Sequence, residues 1–563
     1  MFTFIDHDDD LSSKRIRDAN ARKAIRSHVM RDVRRRERLA GLKRTSKRET
    51  RPKQTESSSA IIPMHSESAA SAYLLGAESA SPSSAASSLP DTEVAFGRLN
   101  SQQGRWRPTV WRAGHLVPPT PAPSPLAFPP SWLLDPFDTL PGAGETPSMV
   151  ARLVFYWKSV FVPMTFPEEY KVAEQAETEL MVKSSFSDPG SFYGLMTMCA
   201  AHRAVLSGRH IDFHALDNPR PSGFDADYYT MKGRCIREMN TKMRDSTRTL
   251  SDAAFDTIVN LITSALIIGL FDEARIHLAG LKRMVELRGG LMAESIHRST
   301  MLVAIITADV KSAAGLMVKP IFPLPWDSRP VSSSIQERIR PPASSVLTRL
   351  GSALLANPLL SLPLLRVLHV MRDIVLYSQT YRESPASFHP GDHDFFRVLN
   401  CEIEHRLLSY IYTDFRSGGV PSATELDVHP VEAVTRVASI CFLNQFLIVS
   451  PPSSGMARAL TKHLKVAVSS CFLSLQSNTP KDVYGLLAWA LCIGAQASMG
   501  QAERPWFVAR LAQLAVTCDW QTWDQFANVL VDYFYLPGVH EISWQSAWGE
   551  TAIGRPGRSG RGR

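Results

Sequence analysis

The chain has 563 residues, 44% of them hydrophobic and 21% charged, and a formal net charge of +8. This composition is typical of a soluble globular protein, and the length is sufficient for two or three domains. The longest apolar stretch, residues 257–271, is about fifteen residues long, whereas a helix needs roughly 20 to cross a bilayer. The stretch therefore predicts a buried core helix, and we expect no membrane partner.

The cysteine pattern excludes a zinc finger. The closest two of the seven cysteines are 21 positions apart, so no pair has metal-finger spacing. An odd number of cysteines without a secretory N-terminus predicts free thiols in a reducing compartment. The seven are Cys199, Cys235, Cys401, Cys441, Cys471, Cys492 and Cys518.

Residues 1–53 form an acidic tip followed by a strongly basic arm. Between residues 14 and 53 there are 17 Lys and Arg against 4 Asp and Glu, a local balance of +13, so the rest of the chain sums to −5. A terminal arm with this charge predicts a polyanionic partner, of which nucleic acid is the usual one. The candidate nucleic-acid contacts are Arg22, Lys23, Arg26, His28, Arg31, Arg34, Arg35, Arg36 and Arg38.

The same arm also fits a nuclear import signal. Residues 11–40 contain no proline or glycine, so a helix is permitted, but no leucine-zipper heptads follow it. Direct DNA contact and import alone therefore both stay open, and both predict a nuclear protein that meets an import receptor. The candidate import residues are Arg34, Arg35, Arg36, Arg38, Lys43, Arg44, Lys47 and Arg48.

Residues 54–131 predict a disordered linker. Six of the ten residues 79–88 are serine, and seven prolines lie between residues 118 and 130. Such a segment buries too little apolar surface to offset the entropy of ordering it. The chain ends in a Gly/Arg-rich tail, residues 549–563.

Residues 132–548 predict an irregular all-α body. Apolar residues recur at intervals of three and four, and strict alternation is scarce. In ARIHLAGLKRMVELRGG, Leu278, Leu281 and Val285 share one helix face, and Gly289-Gly290 supplies a C-cap. Prolines at 320–325 and 451–452 mark connections. Further helices are predicted over residues 149–161, 192–206, 302–317, 395–412, 431–447, 457–475, 483–497 and 506–517.

Sites for metals, cofactors or catalysis are not expected. His389 and His393 lie in SFHPGDHD, where proline and glycine favour a loop over a ligand-bearing helix. The sequence contains no P-loop, GxSxG elbow, HExxH motif or Rossmann glycine fingerprint. We therefore expect a protein that is not an enzyme and has no metal site and no cofactor.

Several segments resemble a known family. The run KAIRSHVMRDVRRRERLAGLKR, residues 23–44, resembles the N-terminal R-x-H-V-M signature of filamentous-fungal proteins with a fungal-specific transcription-factor domain. LDPFDTLP (134–141), the Tyr156-Trp157 helix with Phe166-Pro167 after it, and HLAGLKRMVELRGGL (277–291) are similar to elements of that domain. The resemblance extends from residue 23 to residue 291.

The resemblance implies an all-α regulatory body and a nuclear role in transcription, often of metabolic genes, among them secondary-metabolite genes. Members of the wider superfamily read DNA with a six-cysteine binuclear zinc cluster, but residues 1–198 contain no cysteine. Two hypotheses follow. In the first, the arm contacts DNA and the body engages co-regulator proteins or a small effector of unknown identity. In the second, the protein is a co-regulator or scaffold without DNA contact, and the arm is only an import signal.

Overall fold

The secondary structure of the described residues is helical. The computed structural model describes residues 140–142, 146–165, 185–208, 225–297, 300–327, 330–412, 428–444, 450–475 and 480–553. Within these ranges there are eighteen α-helices and no β-strand. The predicted all-α fold class is therefore confirmed. The predicted arm (1–53) and linker (54–131) lie outside the described residues.

The eighteen described α-helices follow one another along the chain. The first nine are α1 (Pro147–Tyr156), α2 (Val162–Thr165), α3 (Pro189–Leu206), α4 (Ala226–Met243), α5 (Asp252–Ile268), α6 (Phe271–Leu287), α7 (Glu294–His297), α8 (Thr300–Leu316) and α9 (Ser333–Arg338). A π-helical segment, Trp157–Phe161, joins α1 to α2. The other nine are α10 (Ser352–Leu355), α11 (Leu362–Glu383), α12 (Pro390–Ser409), α13 (Pro430–Leu443), α14 (Gly455–Ser474), α15 (Lys481–Ala497), α16 (Arg504–Thr517), α17 (Trp523–Leu530) and α18 (Pro537–Ile553).

The helices predicted from apolar periodicity are confirmed, with ends shifted by a few residues. The helix predicted over 431–447 is shorter, because α13 ends at Leu443, and residues 445–447 lie outside the described part of the chain. The apolar stretch 257–271 is a buried helix only as far as Ile268, where Gly269 ends α5 in the left-handed conformation. Phe271 then begins α6.

The end of α6 agrees with the prediction from its sequence. Leu278, Leu281 and Val285 are buried. Gly289 has a φ of 102°, and the N–H of Gly290 donates to the Val285 carbonyl at 2.8 Å. This bond satisfies a carbonyl that the last helical turn leaves without an intrahelical partner.

Side-chain caps fix where several helices begin. The Asp188 carboxylate accepts the N–H of Ser191 at the start of α3, and Pro189 occupies the first turn. Ser251 and Ser454 accept backbone N–H groups at the starts of α5 and α14. Each of these side chains satisfies a donor that the first turn leaves free.

Most described helices surround one large apolar core. In α15 every side chain from Leu486 to Ile493 is completely buried, which is the pattern of a helix enclosed by others. The indole of Trp489 donates to the Phe534 carbonyl at 3.3 Å, so its polar atom has a partner. A second, smaller cluster contains Leu153, Trp157 and the apolar residues of α3.

Two further expectations concern membranes and thiols. In the described part of the chain, the helices lack the length and apolar content that crossing a bilayer requires.

All seven cysteines are free, six of them buried and Cys518 half-buried, which confirms the prediction of free thiols.

Candidate functional site

An open cleft lies between the connection that follows α8 and the C-terminal half of α12. Its volume is about 520 Å³, which falls within the range of small-molecule sites. Ten residues line it: Lys319, Pro320, Ile321, Phe322, Pro323, Leu324, His405, Arg406, Ser409 and Tyr410. The lining combines an apolar floor with cationic and hydroxyl groups.

The end of α8 directs the chain into the cleft wall. Met317 adopts a φ of 54°, and the N–H of Val318 donates to the Ala313 carbonyl at 3.0 Å. A non-glycine residue in the left-handed region is uncommon, so this helix end is a specific local structure. The proline-rich connection that follows cannot continue the helix, and it passes along the side of α12.

Phe322 is held at both of its backbone polar groups. Its N–H donates to Asp309 Oδ2 at 2.8 Å, and the neighbouring N–H of Ile321 donates to Asp309 Oδ1 at 3.1 Å. The Phe322 carbonyl lies 2.9 Å from His405 Nε2. Asp309 on α8 and His405 on α12 therefore fix the floor of the cleft from opposite sides.

Asp309 is an unusual carboxyl group because its side chain is almost completely buried, at 1% exposure. Burial raises the pKa of Asp309 to about 6 by disfavouring the charged form, although the two N–H donors and Lys282 act in the opposite direction. Asp309, which holds the floor of the cleft, therefore changes its ionisation just below neutral pH.

The hydrogen bonds of His405 determine its tautomer. A carbonyl only accepts, so Nε2 carries the proton and donates to Phe322. The Ser409 hydroxyl donates to the His405 carbonyl at 2.7 Å, and its oxygen lies 3.2 Å from Nδ1. Burial lowers the pKa of His405, with Lys319 and Arg406 acting in the same direction. Burial thus favours the neutral form of the ring.

Two cations stand at the cleft. Lys319 is exposed. Arg406 forms an ion pair with Glu402 at 2.9 Å, and its side chain remains 39% exposed. The described lining residues include no Asp or Glu, so the charged groups that line the cleft itself are cationic, with Glu402 as the carboxylate beside Arg406.

The far wall is fixed through Tyr410. Its hydroxyl donates to Glu432 Oε1 at 2.9 Å, and Glu432 also accepts from the N–H of Ser361 at 3.0 Å and from its hydroxyl at 2.6 Å. This buried carboxylate connects α12, α13 and the start of α11. Tyr410 is therefore held in place by charge-assisted hydrogen bonds.

A buried ion pair lies beneath this region. Lys311 Nζ on α8 is 2.7 Å from Glu404 Oε2 on α12 and 3.0 Å from Asn444 Oδ1 beyond α13. The Asn444 amide donates to Glu404 Oε1 at 3.2 Å and to the Ile440 carbonyl at 2.8 Å. Removing one partner of such a pair leaves a buried charge uncompensated, so the network fixes the relative positions of three helices.

The residues that sequence analysis proposed for DNA contact and import, between Arg22 and Arg48, all lie outside the described part of the chain. The loop predicted around His389 and His393 is wrong, because α12 begins at Pro390 and includes His393. Proline is favourable in the first helical turn, where its missing N–H costs nothing. The Asp392 side chain also accepts the N–H of His389 at 3.0 Å.

His393 has a structural role. It is buried, its Nδ1 is hydrogen-bonded to the Tyr377 hydroxyl, and its ring packs edge-on against Tyr381 with the centroids 4.5 Å apart. His389 is exposed. Across the described residues, His, Cys, Asp and Glu side chains form no group of three or more that could hold a metal ion.

No sequence motif marks the cleft, and the prolines at 320–325 predict only a connection. One signal was present in the sequence: Asp309 and Lys311 interrupt an otherwise apolar helix, and buried charges are normally paired or hydrogen-bonded.

A comparison with protein families decides the identity of the helical body. A model of the fungal specific transcription factor domain matches residues 152–530. The chain belongs to this family. The match runs from within α1 to the end of α17 and includes the whole cleft. No curated protein and no solved structure shows a significant match to the chain.

The family assignment confirms the resemblance of the helical body and extends it beyond residue 291, to the C-terminal half of the body. Segments 23–44 and 134–141 precede the matched region, so the resemblance of these two segments stays a prediction. Membership supports a role in regulating transcription.

Proposed function

We propose that this protein is a nuclear regulator of transcription whose basic arm contacts DNA while the helical body provides regulatory input. The family match over residues 152–530 carries the proposal. The charge distribution supports it, because the arm holds +13 and the remaining chain −5. By analogy with the family, the regulated genes belong to metabolism, including secondary metabolism.

In this proposal the arm neutralises phosphates and supplies arginines to base edges. Arg34, Arg35 and Arg36 form its densest run of positive charge. Arg22, Lys23, Arg26, Arg31 and Arg38 extend the cationic surface, with His28 as a polar contact. Lys43, Arg44, Lys47 and Arg48 complete the import signal, which an import receptor reads. Co-regulator proteins bind the helical body.

A gel-shift salt titration of the full-length protein on mixed-sequence duplex DNA tests the arm. Each phosphate contact contributes about −0.9 to the slope of log K against log salt. The triple variant Arg34→Ala, Arg35→Ala, Arg36→Ala should therefore weaken binding and flatten the slope by up to about 2.7. The matched control is Arg558→Ala, Arg561→Ala, Arg563→Ala, which removes the same charge from the C-terminal tail.

The absence of cysteine from residues 1–198 favours the alternative, a co-regulator without DNA contact. Under that alternative the wild-type protein does not shift DNA even at low salt. An equal loss in the arm variant and the tail variant would also contradict a specific role for the arm. A fluorescent fusion that remains nuclear after deletion of residues 1–53 would contradict the import assignment.

A further inference from the structure

We propose that the cleft between residues 319–324 and α12 binds a small amphipathic anion, with an apolar body on the cleft floor and its acidic group at Lys319 and Arg406. This inference goes beyond the proposed function and concerns the helical body alone. It holds whether or not the arm contacts DNA. A ligand of this kind would be the effector of the regulatory body.

The floor of the cleft suits an apolar body. Phe322 and Pro320 are buried beneath it, and Leu324 is half-buried at its side. Ile321 remains 40% exposed although it is a large aliphatic side chain beside this floor. A ligand that covered it would remove this apolar surface from water, which is favourable at about 25 cal/mol per Å².

The charged groups suit an anion. Within the described residues, Lys319 forms no ion pair, and Arg406 is paired only with Glu402 although a guanidinium has five N–H donors. A carboxylate, sulfonate or phosphate at this position would accept charge-assisted hydrogen bonds, which are stronger than neutral ones. The Ser409 and Tyr410 hydroxyls already donate within the protein, to the His405 carbonyl at 2.7 Å and to Glu432 at 2.9 Å.

The cleft is organised before any ligand binds. Asp309 and His405 hold Phe322 by its N–H and its carbonyl, at 2.8 and 2.9 Å. Glu432 holds Tyr410, and the pair Lys311–Glu404 holds α8 against α12. Binding to such a site does not have to order the loop, so less of the interaction free energy is lost.

Two fluorescent probes test the inference on the full-length protein. 1-Anilinonaphthalene-8-sulfonate is an aromatic anion, and N-phenyl-1-naphthylamine has the same aromatic body without the sulfonate. Lys319→Ala should raise the Kd of the anionic probe about tenfold, the effect of losing one charge-assisted contact. It should leave the Kd of the neutral probe unchanged.

Ile321→Ala truncates the apolar wall and should weaken both probes by about fivefold, since three carbon atoms leave the contact surface. The matched control is Lys481→Ala, an exposed lysine at the start of α15 that does not line the cleft; it should change neither Kd. Thermal melts check that every variant is folded. The basic arm is identical in all of them, so any probe bound there does not affect the comparison.

Several results would overturn the inference. The first is that the wild type gives no saturable fluorescence enhancement. The second is that Lys319→Ala and Lys481→Ala change the Kd of the anionic probe equally. The third is that Lys319→Ala changes the Kd of both probes equally. An Ile321→Ala variant that binds both probes like the wild type would also overturn it. None of these results bears on the gel-shift outcome, so the two proposals fail separately.

Discussion

Asp309 makes the stability of the helical body depend on pH in a predictable direction. Its pKa is about 6 in the folded chain, and the ordinary value is 3.8. The folded state therefore binds a proton more tightly than the unfolded state, and stability falls as pH rises through this interval. Over the full interval the loss is about 3 kcal/mol, of which about 2 kcal/mol falls between pH 4.5 and pH 7.5.

The substitution Asp309→Asn removes this titration. The carboxamide retains one acceptor oxygen, so one N–H of Ile321 or Phe322 loses its partner, at a cost of about 1–3 kcal/mol that does not change with pH. The difference in unfolding free energy between variant and wild type should therefore shift by about 2 kcal/mol in favour of the variant between pH 4.5 and pH 7.5. Urea unfolding followed by helical circular dichroism measures this difference.

A control removes a carboxylate that water reaches. Asp394 lies on the same helix as His405, and its side chain is 59% exposed. Asp394→Asn should follow the pH profile of the wild type. The argument about Asp309 would be refuted by a difference between Asp309→Asn and wild type that stays constant across this pH range, or by one that moves in the opposite direction.

Two further predictions concern packing. Glu404→Leu leaves the Lys311 ammonium buried without its carboxylate and should lower the free energy of urea unfolding by about 3–5 kcal/mol. Adding Lys311→Met should recover most of that loss. A double variant as unstable as the single one would contradict this prediction. Gly455→Ala places a Cβ against the backbone of Gly269 and should cost about 1–3 kcal/mol or more in thermal unfolding. Gly391→Ala is its control, since a Cβ there meets nothing within 4 Å.

Apolar periodicity predicted the helices that have a long apolar pattern. It failed where charged residues or a proline interrupt that pattern. It missed α4, in which buried residues such as Met231 and Cys235 alternate with many charged ones. It also missed α11, the longest described helix, in which Pro363 occupies the first turn. The error at His389 and His393 has the same origin, because a proline that starts a helix resembles one in a loop.

The cleft could not be predicted from sequence pattern, because its contacts join distant positions. His405 lies 83 residues from the Phe322 carbonyl that it holds, and Lys311 lies 93 residues from Glu404. Local rules describe turns, caps and helix faces, whereas such pairings depend on how helices pack. The sequence does contain one signal, which is the presence of an aspartate and a lysine, Asp309 and Lys311, in the largely apolar helix α8.

The two proposed activities, DNA contact by the basic arm and anion binding by the helical body, should be electrostatically independent. Attraction between the arm and a mildly anionic body is screened beyond about 8 Å at physiological salt. The linker predicted over residues 54–131 has 78 residues, and a flexible chain of that length has an end-to-end distance of roughly 50 Å. With such a linker, the arm would meet DNA with its own charge nearly unaffected by the body. The salt slope in the gel shift would then report phosphate contacts of the arm alone. Lys319→Ala should leave that slope unchanged although it weakens binding of the anionic probe.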